Sequence, residues 1–512
     1  MASPAPNPRS SRLLIRGQLL HIITTFIIIT FGLSHGLCRV YADNLADIQC
    51  RPNIIFILID DLGYADIGPF GATKQKTPHL DRMAAEGRKL MSHYAAPVCS
   101  PSRAALMTGC YPKRVLPIPG VLFPAGAVGL SAEERTIADC LKELGYATAC
   151  IGKWHLGDQP EFMPTNQGFD SYFGVPYSND MGTAAEGSKS NFGQPLPKPK
   201  KVPALVKMAT EETGLRGDAQ PPLPLVENLR VVERVGAAEQ ATLTRRYTER
   251  AVKFIESHKA APFFLYLPHN AVHGPLYPAE AYRGRSQGGL RGDWIEEVDA
   301  SVGQVLDAVR KVGIAERTLV IFTSDNGGPL GQQADNAPFR GGKASTLEGG
   351  MRVCTIAWWP GHVPAGTETQ EMTSMMDVLP TFVSLAGGKL SGERKLDGLD
   401  VSQVLTGSSD ARSPRQVFHY YDGFKLAAVR QGPWKLHLAN QELYNVVDDP
   451  GEKRNTASAH PEVVKELQTR ADAMAADLGA TNALGPGVRK LGRVENPQPW
   501  IAADGKFREV TK

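Results

Sequence analysis

Asn53-Ile54-Ile55-Phe56-Ile57-Leu58-Ile59 runs straight into Asp60-Asp61. Seven residues without a charge, mostly β-branched, read as a strand buried on both faces, and such strands belong to parallel sheets. Three further runs end the same way. Ala147-Thr148-Ala149-Cys150-Ile151 leads to Lys153 and His155, and Phe263-Phe264-Leu265-Tyr266-Leu267 leads to His269 and His273. Thr318-Leu319-Val320-Ile321-Phe322-Thr323 leads to Asp325-Asn326. In open α/β sheets ligands bind outside the carboxyl ends of the strands. Four strands that each deliver ionisable side chains to that edge point to one shared site.

Helical signals fall between the strands, giving a doubly wound α/β domain with a large, mostly parallel sheet. Thr77-Pro78 opens a helix that Gly87 can stop, and Ser131-x-x-Glu134 has the capping-box pattern with Gly145 at the far end. Residues 293–312 are periodic and meet Gly313. Residues 183–225 are rich in Pro and Lys, as in Gln194-Pro195-Leu196-Pro197-Lys198, and read as an irregular insertion at the site rim. A catalytic domain over residues 50–385 is expected, followed by a smaller subdomain over 386–512. There Val417–Tyr421, Lys425–Val429 and Trp434–Leu438 read as antiparallel strands, and Pro461–Leu478 as an amphipathic helix.

Of 512 residues, 56 are Lys or Arg and 53 are Asp or Glu, so no basic excess suggests nucleic acid. Arg9, Arg12 and Arg16 precede an apolar stretch from Leu19 to Leu33, then Val40-Tyr41-Ala42. This is a signal-peptide layout over residues 1–42, short for a membrane span, and implies a secreted or periplasmic protein with no stable membrane anchor. Seven cysteines are too few for a disulfide scaffold, although one bridge between Cys140 and Cys150 is compatible with the count. The chain has no Asn-x-Ser/Thr acceptor.

The chemistry centres on Cys99-Ser100-Pro101-Ser102-Arg103-Ala104-Ala105-Leu106-Met107-Thr108-Gly109. Pro101 suits the first helical position and Gly109 the end, which sets Cys99 at a helix N-terminus, where free N–H groups favour an anion. Asp60, Asp61, Asp325 and Asn326 offer only oxygen ligands, a set for a hard cation such as Ca²⁺ or Mg²⁺ rather than zinc. A lone Cys before a helix is usually structural, and either acidic pair alone would pass for a turn.

The string from Cys99 matches the signature C-x-P-S-R-x-x-x-L-T-G of the formylglycine-dependent sulfatases, with Met107 replacing Leu. The resemblance, closest to the arylsulfatase A type, also rests on Asp60-Asp61, Gly152-Lys153-Trp154-His155-Leu156-Gly157 and Val272-His273-Gly274-Pro275. Ser324-Asp325-Asn326-Gly327 and Gly341-Gly342-Lys343 through Glu348-Gly349-Gly350 complete it. It implies an alkaline phosphatase-like fold and conversion of Cys99 to formylglycine by a maturating enzyme. The hydrated aldehyde takes the sulfuryl group on one oxygen, and the other then collapses to expel sulfate. A Ser nucleophile would instead be left as a stable ester.

The resemblance also implies one calcium ion on Asp60, Asp61, Asp325 and Asn326 with the residue-99 side chain. It gives Arg103 a bracing role, sets Lys153 and His155 on the sulfate and the diol oxygen, and places His273 and Lys343 at the sulfate and bridging oxygen. Ser178 matches a substrate contact, with a plain turn as the alternative. His269 is assigned to structure or to the rim. The expected substrate is a sulfated small molecule or glycan. Phosphonate or phosphate monoester hydrolysis is the competing activity on the same fold. A sulfated-glycan binding protein is a third, non-enzymatic reading.

Overall fold

A computed structural model describes residues 1, 2, 51–198, 212–502 and 504–510. The leader reading, Cys50 and the middle of the Pro/Lys-rich stretch lie outside the described residues. From Pro52 to Lys512 the chain forms one compact unit.

The main sheet has ten strands. In chain order they are β1 (Asn53–Ile59), β2 (Arg88–Leu90), β3 (Ala147–Ile151), β4 (Ser171–Gly174) and β5 (Leu223–Glu227). Then come β6 (Arg230–Val235), β7 (Phe263–Pro268), β8 (Thr318–Ser324), β9 (Thr355–Trp358) and β10 (Thr367–Thr369). Across the sheet they run β10-β2-β9-β8-β1-β7-β3-β4-β5-β6. The centre β8-β1-β7-β3-β4 is parallel, whereas β9 pairs antiparallel with β8 and β5 antiparallel with β4. The four apolar runs are thus contiguous central strands, and their carboxyl ends share one edge.

Two layers cover the sheet, and alternation along β1 shows how. Ile54, Phe56 and Leu58 face a layer holding α2 (Cys99–Thr108), α3 (Ile137–Glu143) and α6 (Val378–Leu385), as numbered with α1 (Pro78–Ala85), α4 (Leu243–His258) and α5 (Gly289–Lys311). Ile55, Ile57 and Ile59 face the other layer, with α1, α4 and α5. These six β1 side chains are at most 1% exposed. At roughly 2 kcal/mol per buried side chain, β1 alone contributes on the order of 10 kcal/mol of burial, an upper bound. That explains why a run with no polar face is stable only at the sheet centre.

The smaller sheet is antiparallel: β11 (Val417–Asp422), β12 (Lys425–Gln431), β13 (Trp434–His437) and β14 (Glu442–Asn445), with α7 (Pro461–Leu478) against β12 and β13. Strand β14 extends the three strands expected. Among the described residues no helix is long and apolar enough to cross a membrane.

Four expectations are corrected. Ser131 and Glu134 do not cap a helix. Thr136 does, accepting from Asp139 N while the Asp139 carboxylate accepts from Thr136 N at 2.9 Å, so α3 starts at Ile137. Glu134 instead pairs with Arg489 at 2.6 Å. Cys140 and Cys150 are free thiols. Pro101 is the third helical residue, not the first, and this is tolerated because the first helical turn has no intrahelical acceptor for its N–H. The stretch 183–225 is not irregular to its end, since Leu223–Glu227 joins the sheet beside β4.

Candidate active site

The edge formed by the carboxyl ends of β1, β3, β7 and β8 collects every residue singled out in the sequence except His269. Cys99 is the first residue of α2 and 2% exposed, and its Sγ lies 3.3 Å from Asp60 Oδ1. Gly109, at φ 67°, ends the helix in the left-handed region that only Gly adopts freely. Burial pushes the Cys99 thiol well up, and the Asp60 carboxylate adds to it, overriding Lys153 and Lys343. Residue 99 as a thiol is a protonated donor to Asp60, not a nucleophile.

Arg103, one turn along α2, is wholly buried. Its Nε and Nη2 donate to Asp325 Oδ2 at 3.0 and 2.9 Å, and Nη1 donates to Lys153 O at 2.5 Å. Lys153 Nζ donates to Asp60 Oδ2 at 2.5 Å and reaches Ser178 Oγ at 3.3 Å. Gly152, at φ 133°, makes the turn that delivers Lys153, and a Cβ there would lie 1.8 Å from Pro268 O. His155, at φ 66°, bonds Leu122 O through Nε2 at 2.8 Å, leaving Nδ1 buried without a partner among the described residues. Burial first, then Lys153 and Arg103, hold its pKa well below the ordinary value, so the ring is neutral with a free lone pair on Nδ1.

Asp61 is the hub. Its Oδ2 accepts from Lys343 Nζ at 2.8 Å and lies 3.6 Å from His273 Nε2, while Oδ1 accepts from Asn326 Nδ2 at 2.8 Å. Asp325 Oδ1 accepts from Asp61 N at 3.3 Å. His273 Nδ1 faces Gly274 O at 2.6 Å and Ser178 Oγ at 3.3 Å, which turns Nε2 toward the carboxylates. The side chains of Arg103, Lys153, Asp60 and Asp325 are fully buried, whereas His273 and Lys343 keep 11% and 21% exposure. The mouth of the site is therefore on the His273 and Lys343 side.

Asp60, Asp61 and Asp325 lie among Lys153, Arg103, Lys343 and His273. Burial alone would raise Asp60, but Lys153, His273, Arg103 and Lys343 hold it well below the usual range. Asp61 is likewise lowered, burial being outweighed by Lys343 and His273. Burial and the Asp60 charge push Asp325 up to about 6. Lys343 is raised, burial being outweighed by Asp61, so it keeps its proton.

The site holds a group of side chains that could bind a metal ion. Asp60, Asp61, Cys99 and His273 each present a ligand atom within 4.8 Å of the others. Asn326 Oδ1 beside them is buried with no partner among the described residues, a deficit that a bound cation would meet.

The Sulfatase family model matches residues 52–388. The chain belongs to the sulfatase family. It is a sulfuric ester hydrolase by that membership. It is similar to N-acetylgalactosamine-6-sulfatase of Canis lupus familiaris, 39% identical over 76% of this chain and 72% of the relative. It is 36% identical to arylsulfatase A of Homo sapiens, over 91% of this chain and 95% of that one. Among solved structures it resembles the PsFucS1 sulfatase from Pseudoalteromonas sp., with a TM-score of 0.73 and 26% identity over 89% of this chain and 95% of that one.

His269, the residue set aside, is buried with Nε2 3.4 Å from Ser301 Oγ and its ring 6.1 Å from that of Tyr247. Sequence reasoning missed Asp66 and Arg291, a buried pair at 2.7 Å directly behind Asp61. No motif announces them, since Arg291 sits in an ordinary helical pattern.

Proposed function

We propose that this sulfatase hydrolyses aryl or carbohydrate sulfate esters through a formylglycine made from Cys99, with one calcium ion held by Asp60, Asp61, Asp325 and Asn326. The observation that carries this reading is the state of Cys99. It stands at a helix N-terminus among Lys153, Lys343 and His273, yet as a thiol it is buried, protonated and bonded to Asp60. A site so built for an anion gains nothing from a thiol. Formylglycine would supply a hydrated aldehyde there, a nucleophile that sheds sulfate without a second attack by water. The cation would neutralise sulfate oxygens.

The remaining roles follow from position and charge. Lys153 and Lys343 flank residue 99 and hold the sulfate oxygens. Arg103 braces Asp325 and the Lys153 carbonyl from below. Neutral His155, with Lys153, would face the sulfate and the hydrated side chain at residue 99, its Nδ1 lone pair free to accept a hydrogen bond. His273 protonates the departing alcohol, because it lies at the open side and Lys343 holds its proton too tightly. Ser178 orients His273 through Nδ1. Maturation requires an enzyme that oxidises Cys99, and the leader reading of residues 1–42 supports export to a secreted or periplasmic location.

Peptide mass analysis of residue 99 tests the modification. The expected peptide has gained one oxygen and lost one sulfur and two hydrogens relative to Cys. An active preparation carrying only unmodified Cys99 would refute the reading.

A further inference from the structure

Behind the site lies a buried ion pair, Arg291 with Asp66. Arg291, in the first turn of α5, and Asp66, in the loop after β1, are each 2% exposed. Arg291 Nη2 donates to Asp61 O at 2.6 Å and to Asp66 Oδ2 at 2.7 Å. Its Nε donates to Asp66 Oδ2 at 3.1 Å, and its Nη1 to Val272 O at 3.3 Å. Asp66 also accepts from Gly63 N at 2.8 Å and from Asp335 N at 2.9 Å. Every guanidinium nitrogen is thus committed, and the two carbonyls it grips belong to Asp61 and to the residue before His273.

The backbone of Asp61 needs such a grip. Its φ is 63°, a left-handed conformation uncommon for a non-Gly residue, which its neighbours hold in place. In that pose the carboxylate meets Lys343, Asn326 and His273 together. A buried ion pair is a poor device for stability alone, since apolar residues of equal volume commonly do as well. A rigid helix that projects one guanidinium onto two functional segments is, by contrast, an effective way to fix them relative to each other.

We infer that Arg291, oriented by Asp66, is a positioning residue that sets the Asp61 carboxylate for the metal and His273 for the leaving group. This inference rests on the reading of Asp61 as a metal ligand. Calorimetric titration with calcium chloride alone tests it on the full chain, comparing the parent with Arg291→Lys and Asp66→Asn, each checked for folding by thermal melting. Arg291→Lys keeps the charge and loses the fork, whereas Asp66→Asn keeps the shape and frees the guanidinium. Both are expected to weaken calcium binding, Arg291→Lys by about tenfold or more, and to lower kcat for a nitrophenyl sulfate. A purely structural pair would lower Tm and leave the calcium Kd unchanged. Either variant, folded and binding calcium within about twofold of the parent, overturns the inference, as does failure of both to fold. A parent that binds no calcium defeats the reading of the site itself. A parent that binds while the variants bind equally defeats only the clamp.

Discussion

At the scale of single residues the site separates groups by exposure. Cys99, Arg103, Lys153 and Asp325 are sealed, and His273 and Lys343 face the opening. Cys99→Ser should fold with an unchanged Tm yet show no sustained turnover, because a sulfated Ser has no internal route to release sulfate; steady-state sulfate release checks this. Arg103→Lys keeps the charge but cannot bridge Asp325 and the Lys153 carbonyl together. It is expected to cost roughly 100- to 1,000-fold in kcat, on the scale of removing a preorganised electrostatic contact. The motif residues were legible in the sequence because their chemistry is unusual in combination. Arg291 and Asp66 were not, because their meaning lies in which carbonyls a helix happens to face.

At the scale of elements, strands buried on both faces announced themselves as unbroken apolar runs, so β1, β3, β7 and β8 were readable. The α3 boundary was not, because Ser131-Glu134 and Thr136-Asp139 both satisfy the capping pattern and only packing chooses between them. Helix α5 carries a pH-dependent weakness. Burial raises Glu297 to about 7, against the Ala279 N–H that it accepts at 2.8 Å. The folded protein then retains a proton that the unfolded chain releases from about pH 4.5 upward. Stability is full below that point and falls as pH rises to about 7, by roughly 3 kcal/mol at most. Glu297→Gln should flatten this slope in Tm measured from pH 5 to 8. The small sheet is joined to the Lys343 loop by Lys435, whose Nζ lies 2.8 Å from Thr346 O and 3.0 Å from both Glu348 and Glu452. Lys435→Met leaves two buried carboxylates side by side and is expected to destabilise by about 3–5 kcal/mol in a denaturant titration.

At the scale of the whole molecule, one sheet edge gathers residues separated by up to 283 positions in sequence, since β1 supplies Asp60 and the loop after β8 supplies Lys343. The fold class was readable from the strand pattern, and the site from where those strands end. The substrate was not, because residues 183–225, expected at the rim, carry no periodicity, and no motif writes the ester. We propose that this arrangement cleaves sulfate esters through a modified residue 99. The most direct measurement gives the protein, co-expressed with a maturating enzyme, nitrophenyl sulfate and its phosphate and phosphonate analogues in parallel. The expected result is turnover of the sulfate well above both analogues, lost in Cys99→Ala. No sulfate turnover by protein whose residue 99 is formylglycine by mass, or preference for the phosphonate, would contradict it.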